Sequence, residues 1–278
     1  MAFCEIHFLS QTLSQNVSAA VFIPEKGPFG SDAEPPYRTV YLLPGYSGDC
    51  TSIYTMLPIR KQAELKGLCV VIPNGQNAFY IDHPERNASW SRFIGEELVA
   101  RTREMFRLSD RREDTYIAGI SMGGYGALLN GLRYRKVFSR IAALSPAADL
   151  GELFSHAREG GFGPDEFANL FGSLEAYENG PWNLRKIYPE TNPAEIPELF
   201  VGCGDHDIAV WRQVKDFLQV LDQAGIPCRR WQNHGNHDID TWEAMMDPAF
   251  SFLAGIPEGT RNSLAIPEAA SARDAVVQ

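Results

Sequence analysis

The sequence predicts an α/β protein: a central, mostly parallel sheet with helices on both faces. Three observations carry this. Short apolar runs at 39–43, 68–72, 115–120 and 199–203 have the length and composition of buried parallel strands. Helical periodicity follows at 52–65, after 121 and over 209–223. A Gly119-x-Ser121-x-Gly123 turn joins the 115–120 run to the helix after it. The chain of 278 residues suffices for one large domain of this kind. The reading is a single domain over 1–256.

Taken in order, residues 4–9 and 17–23 alternate as an antiparallel edge pair. Residues 24–37, with their prolines and glycines, form a loop. The strand at 39–43 ends in Pro44-Gly45-Tyr46-Ser47-Gly48, a turn able to aim backbone N–H groups at a cleft. Residues 74–91 form a polar and aromatic loop, from which Phe79, Tyr80 and Trp90 are candidate substrate contacts. The competing role for those rings is to cap the core. Over 92–106, Phe93, Ile94, Leu98 and Met105 are spaced for one helix face. A strand follows at 138–145. Residues 150–195 then break the α/β rhythm with Phe154, Phe162, Phe167, Phe171, Tyr177 and Trp182. They read as a small helical insertion over the cleft. Trp182 is its candidate substrate contact, although most of these rings are expected to pack the insertion onto the core. A last strand near 226–231 leads to His234-Gly235-Asn236-His237 and a helix with Asp240 and Glu243 spaced as a capping box. From 257 the chain is Ala/Ser/Glu-rich and aperiodic, a loosely structured tail.

The turn at 119–123 carries the chemistry. A strand–turn–helix with glycines beside a central serine is a nucleophile elbow. Its strained backbone lifts the hydroxyl out of the sheet at a helix N-terminus, where negative charge is favoured. A serine needs a base to take its proton, and the base needs a carboxylate to fix its tautomer. The acid must lie after the 199–203 strand, as Asp205 or Asp207. Asp205 follows the strand directly and could cap a turn; Asp207 stands further out, within reach of a histidine. The base is His234 or His237, and His237 is preferred because it stands at the loop-to-helix junction. A rival arrangement would use His206, Asp207, His234 and His237 as zinc ligands, but it leaves the elbow without a role.

The formal net charge of −10 and pI near 5.1 argue against nucleic acid and anionic membranes as partners. The N-terminal stretch has no basic region followed by a long apolar run, so a cytoplasmic chain is expected. The cysteines at 4, 50, 69, 203 and 228 show no metal or redox spacing, and Cys69 and Cys203 read as core thiols. Oligomeric state is left open, a homo-oligomer included.

The blocks Tyr-Leu-Leu-Pro-Gly-Tyr-Ser-Gly at 41–48, Arg-Arg-Glu-Asp-Thr-Tyr-Ile-Ala-Gly-Ile-Ser-Met-Gly-Gly-Tyr-Gly-Ala-Leu at 111–128, Cys-Gly-Asp-His-Asp at 203–207 and Gly-Asn-His-Asp at 235–238 resemble the esterase D / antigen 85 branch of the α/β-hydrolases. The closer resemblance is to bacterial tributyrin-esterase-like acetyl and feruloyl carbohydrate esterases. It implies the α/β-hydrolase fold and hydrolysis of short-chain acyl esters without metal or organic cofactor. By position, the family's nucleophile falls on Ser121, its acid on Asp207, its base on His237 and its oxyanion amides on Tyr46 and Met122. Thioester hydrolysis, acyl transfer and a catalytically silent binding protein are the alternatives. The family usually has His-Gly where this chain has Pro44-Gly45, which changes the hydrogen bonding behind the oxyanion loop. Ile208-Ala209-Val210 also departs from the usual bulky pair, which bears on the alcohol side of the pocket.

Overall fold

The computed structural model describes residues 1–26, 31–156 and 164–260. In chain order the strands are β1 (Ala2–Ser10), β2 (Gln15–Ile23), β3 (Thr39–Leu43), β4 (Cys69–Pro73), the two-residue β5 (Asp82–His83) and β6 (Ala88–Ser89), β7 (Thr115–Ile120), β8 (Arg140–Leu144), β9 (Glu198–Gly204) and β10 (Cys228–Asn233). The helices are α1 (Cys50–Met56), α2 (Ile59–Lys66), α3 (Trp90–Arg92), α4 (Leu98–Met105), α5 (Met122–Arg133), α6 (Leu150–His156), α7 (Pro164–Phe171), α8 (Leu174–Asn179), α9 (Leu184–Ile187), α10 (Trp211–Gln223) and α11 (Ile239–Ala254).

Among the described residues, eight strands form one sheet in the order β1-β2-β4-β3-β7-β8-β9-β10. β1 runs antiparallel to β2, and β2 antiparallel to β4. Every pair from β4 to β10 is parallel. This is the α/β-hydrolase fold. Because the strands are parallel, their carboxyl ends share one edge, where open α/β sheets place their ligands. Leu43 pairs with Gly119, and Gly119 with Ala143. The loops after β3, β7, β9 and β10 therefore emerge side by side.

Alternate residues of each strand feed two cores. Tyr41, Leu43, Val71 and Ile117 face α5 and α10, whereas Val40, Leu42, Val70 and Ala118 face α2 and α11. The strand residues of β3, β4 and β7 are buried throughout. Each fully buried branched aliphatic contributes about 1.5–3 kcal/mol from burial alone, so the central strands hold their register strongly.

Four differences from the sequence reading have local causes. The helix expected over 52–65 is two helices, because Pro58 disfavours helical backbone at Leu57, which is extended. Over 92–106, Phe93, Ile94 and Leu98 are buried but Met105 is 45% exposed. A π-helical stretch at Phe93–Glu97 adds a residue to the turn and rotates the later residues off that face. The last helix is capped not by Asp240 with Glu243 but by Asp238, whose carboxylate accepts from Thr241 N–H at 3.0 Å. Of the tail read from 257, residues 261–278 lie outside the described residues, while 257–260 are docked: Gly259 N–H donates to Asp247 Oδ2 at 2.7 Å.

The insertion supplies α6 to α9; its residues 157–163, Phe162 among them, lie outside the described residues. Its rings form a ladder from the core outward. Phe154 sits 5.8 Å from Phe79, Phe167 5.2 Å from Phe154, and Phe171 5.0 Å from Phe167. Cys69 and Cys203 are buried thiols, and burial pushes the Cys203 thiol well above its ordinary range.

Candidate active site

Ser121 occupies φ 56°, ψ −114°, a conformation that costs an L-residue about 1–3 kcal/mol. The strain is held by its surroundings. Ser121 N–H donates to Leu144 O at 2.9 Å, and its carbonyl accepts from Tyr125 N–H and Ala147 N–H. The flanking glycines are required by space. A Cβ on Gly119 would lie 2.0 Å from Gly123 O, and one on Gly123 would lie 2.0 Å from Leu43 O. Strand, turn and helix approach so closely that neither position admits a side chain.

Ser121 Oγ–H donates to His237 Nε2 at 2.9 Å, and His237 Nδ1–H donates to Asp207 Oδ2 at 2.7 Å. A carboxylate only accepts, so the ring proton belongs on Nδ1 and the Nε2 lone pair faces the serine. Asp207 is fully buried. Its other oxygen accepts from Ala209 N–H and Val210 N–H, both at 3.1 Å, which fixes the carboxylate plane. Trp242 stands edge-on to the His237 ring at 5.2 Å.

The other acid and histidine of the sequence reading lie apart. Asp205 accepts from His206 Nδ1 at 2.6 Å and lies 3.4 Å from His234 Nδ1. The His206 hydrogen bond holds the Asp205 carboxyl below its usual range. Neither Asp205 nor His234 touches His237 or Ser121 among the described contacts. The zinc set of His206, Asp207, His234 and His237 is divided accordingly: Asp207 and His237 bond to each other, whereas His206 bonds to Asp205, with His234 3.4 Å from the same carboxylate.

A cavity of about 360 Å³ opens over Ser121 and His237. The loop after β3 forms one wall with Gly45, Tyr46 and Ser47, and α1 adds Ile53 and Met56. Phe79, Met122, Leu153, Val210 and Trp242 complete most of the apolar lining. His237 is the one histidine that lines it, and no acid, lysine or arginine does so among the described residues. Tyr46 and Met122 line the cavity together with Ser121. Of the departures at 208–210, Ala209 and Val210 line the cavity while Ile208 is fully solvent-exposed.

Of the four expected substrate contacts, Phe79 lines this cavity. The other three are corrected. Trp90 is buried edge-on against Phe93 at 5.7 Å, in the core below α4. The Trp182 ring packs on Phe171 at 5.6 Å, and its carbonyl accepts from Tyr125 Oη–H. Tyr80 is fully buried beneath the loop after β3, and its hydroxyl donates to Pro44 O at 2.8 Å.

Tyr80 answers the question raised by Pro44. The loop that carries Tyr46 is braced from behind by Tyr80 and from the side by Asn77, whose Oδ1 accepts from Ser47 N–H at 2.6 Å. Gln76, Asn77, Phe79 and Tyr80 all have positive φ. That tight coil puts both braces in reach, and Asn130 holds it by donating to Tyr80 O at 3.0 Å. Across the cleft, Tyr46 Oη–H donates to Glu166 of α7 at 2.7 Å. Burial, followed by the bond to Glu166, pushes the Tyr46 phenol up to about 12. Sequence reasoning missed Asn77, Glu166 and Trp242 as parts of this site. No motif marks them, and each reaches the cleft through tertiary contacts.

The sequence matches the family described as "Putative esterase" over residues 10–252. The chain belongs to the Esterase family. This esterase is 29% identical, over 267 residues, to an acetyl esterase of Caldicellulosiruptor saccharolyticus, covering 93% of this chain and 100% of that one. A solved S-formylglutathione hydrolase from Staphylococcus aureus superposes with a TM-score of 0.76 at 26% identity, covering 91% of this chain and 98% of that one. A solved ferulic acid esterase gives 0.74 at 22% identity, covering 91% and 97%; it speaks for the fold. The protein is thus a carboxylic-ester hydrolase. No described helix is long and apolar enough to cross a membrane.

Proposed function

We propose that this esterase hydrolyses short-chain acyl esters, acetyl groups on carbohydrate alcohols foremost, through an acyl-enzyme on Ser121. The observation that carries the reading is the hydrogen-bond chain from Ser121 through His237 to the buried Asp207. His237 Nε2 takes the hydroxyl proton as Ser121 Oγ bonds to the acyl carbon. The negative charge passes to the carbonyl oxygen, which the Met122 and Tyr46 amides bind at the start of α5. His237, now charged and steadied by Asp207, gives its proton to the leaving alcohol as the C–O bond breaks. Water then repeats the sequence, releasing the acid and restoring Ser121.

The cavity supports the acyl side of this reading. Its apolar walls suit an acyl group. Among the described residues its lining offers no cation to the carboxylates of a glutathione leaving group, which favours an oxyester over a thioester. The likeness to an acetyl esterase points the same way.

A series of p-nitrophenyl acyl esters, run beside acetylated xylan, methyl ferulate and S-formylglutathione, tests the substrate. A fall in kcat/KM beyond about four carbons, with acetate released from xylan, is expected. A preference for the thioester or for ferulate would overturn the substrate assignment. Ser121→Ala tests the nucleophile. It is expected to lose on the order of a thousandfold or more in kcat and all labelling by a fluorophosphonate, with its melting temperature preserved.

A further inference from the structure

Asp205, His206 and His234 meet at the solvent side of the loops after β9 and β10, and the proposed chemistry uses none of them. His206 Nδ1 is 2.6 Å from Asp205 Oδ1, and His234 Nδ1 is 3.4 Å from the same oxygen. The two imidazole rings stand 3.8 Å apart, centroid to centroid. One ligand atom from each of the three residues lies within 4.8 Å of the others. One carboxylate oxygen thus faces two ring nitrogens. Two imidazoles and a carboxylate are the donor set of zinc and similar borderline divalent metals. Tetrahedral zinc, with bonds near 2.0–2.1 Å, holds its ligand atoms about 3.4 Å apart. At 2.6 and 3.4 Å from the shared carboxylate oxygen, and all within 4.8 Å of one another, the three ligand atoms are spaced near that value.

The backbone beneath is already set. Asp205 N–H donates to Asn233 O and His206 N–H donates to Gly235 O, both at 2.9 Å. A Cβ on Gly204 would lie 2.2 Å from Gly235 O, so the two loops are in van der Waals contact. The ligand-bearing segments are held, while the side chains of His206 and His234 are 56% and 80% exposed. The neighbouring pair is not available in the same way. Asp207 is buried and bonded to His237, and a cation could reach it only by breaking that bond.

We propose that Asp205, His206 and His234 form a binding site for a divalent transition-metal cation of the zinc class, its remaining positions open to water. Held there, the cation staples the loop that carries Asp207 to the loop that carries His237. The inference stands on this cluster alone and is independent of the substrate assignment.

Zinc chloride titrated calorimetrically into untagged, metal-stripped protein is the test, with thermal melts in parallel. The expected result is one zinc per chain and a higher melting temperature with zinc than without. His206→Ala and His234→Ala are each expected to weaken binding tenfold or more and to abolish the thermal shift. Circular dichroism checks that both remain folded; His234→Gln, which keeps the bulk of the ring position, serves if one does not. His237→Ala is expected to bind zinc as the parent does. Three results would overturn the proposal: no saturable zinc binding, binding that survives in the His206→Ala/His234→Ala double variant, or binding lost in His237→Ala but kept in the other two. The last would place the ion on the Asp207–His237 pair instead.

Discussion

Two aspartate–histidine groupings share one pair of loops, and they differ in burial and in aim. Asp207 is fully buried, receives two backbone N–H groups and holds one edge of a ring whose other edge faces Ser121. Asp205, with a side chain 30% exposed, lies between two exposed rings, neither of which faces a nucleophile. The residue types are the same and the sequence positions differ by two or three. What separates them is the way β9 ends. The turn after Gly204 sends Asp205 outward beside β10 and folds Asp207 back under the helix that follows, where Val210 N–H caps it. Desolvation makes the inner pair strong and directional, while water screens the outer one.

That contrast can be broken by exchange of matched substitutions. His237→Ala is expected to reduce kcat on the order of a thousandfold or more, because Ser121 loses its base. His234→Ala should stay within about threefold of the parent, as surface substitutions commonly do. Equal losses would mean that the two histidines act as one unit. The acids come next. Asp207→Asn removes the acceptor that sets the His237 tautomer, and a loss of about a hundredfold to ten-thousandfold in kcat is expected. Asp205→Asn should change kcat by less than about threefold, and a large loss there would reverse the assignment of the acid.

The smallest effect sharpens the comparison from the far side of the cleft. Tyr80→Phe keeps the ring and removes only the hydroxyl that braces Pro44 O. The orphaned carbonyl should cost about 1–3 kcal/mol in stability, read from denaturant midpoints. If the loop positions an oxyanion amide, kcat should fall several-fold while KM changes little. A stability loss with kcat unchanged would restrict Tyr80 to the core.

The elbow was legible because its constraints are local. Gly119, Ser121 and Gly123 sit within five residues, and the close approach of strand to helix excludes side chains at both glycines whatever the rest of the chain does. The parallel strands were legible too, since burial on both faces leaves continuous apolar runs. The loop at 74–91 was not. Its aromatic residues read equally well as cleft or core, and the structure sends Phe79 to the cavity, Tyr80 beneath the oxyanion loop and Trp90 into the core. Positive φ at Gln76, Asn77, Phe79 and Tyr80 forms the tight coil from which Phe79 and Tyr80 part, and no side-chain pattern announces it.

The sequence by itself determined the sheet, the strained serine and the edge at which the chemistry had to assemble, because strand burial and turn sterics act over a few neighbouring residues. Tertiary structure alone decided how the hydrogen bonds reach across that edge. It brought the Asp207 carboxylate to 2.7 Å from His237, Tyr80 into the brace behind Pro44, and Glu166 of the insertion onto Tyr46. Those contacts join residues 30, 36 and 120 positions apart. Their partners are chosen by the path of the folded backbone, which side-chain periodicity does not encode.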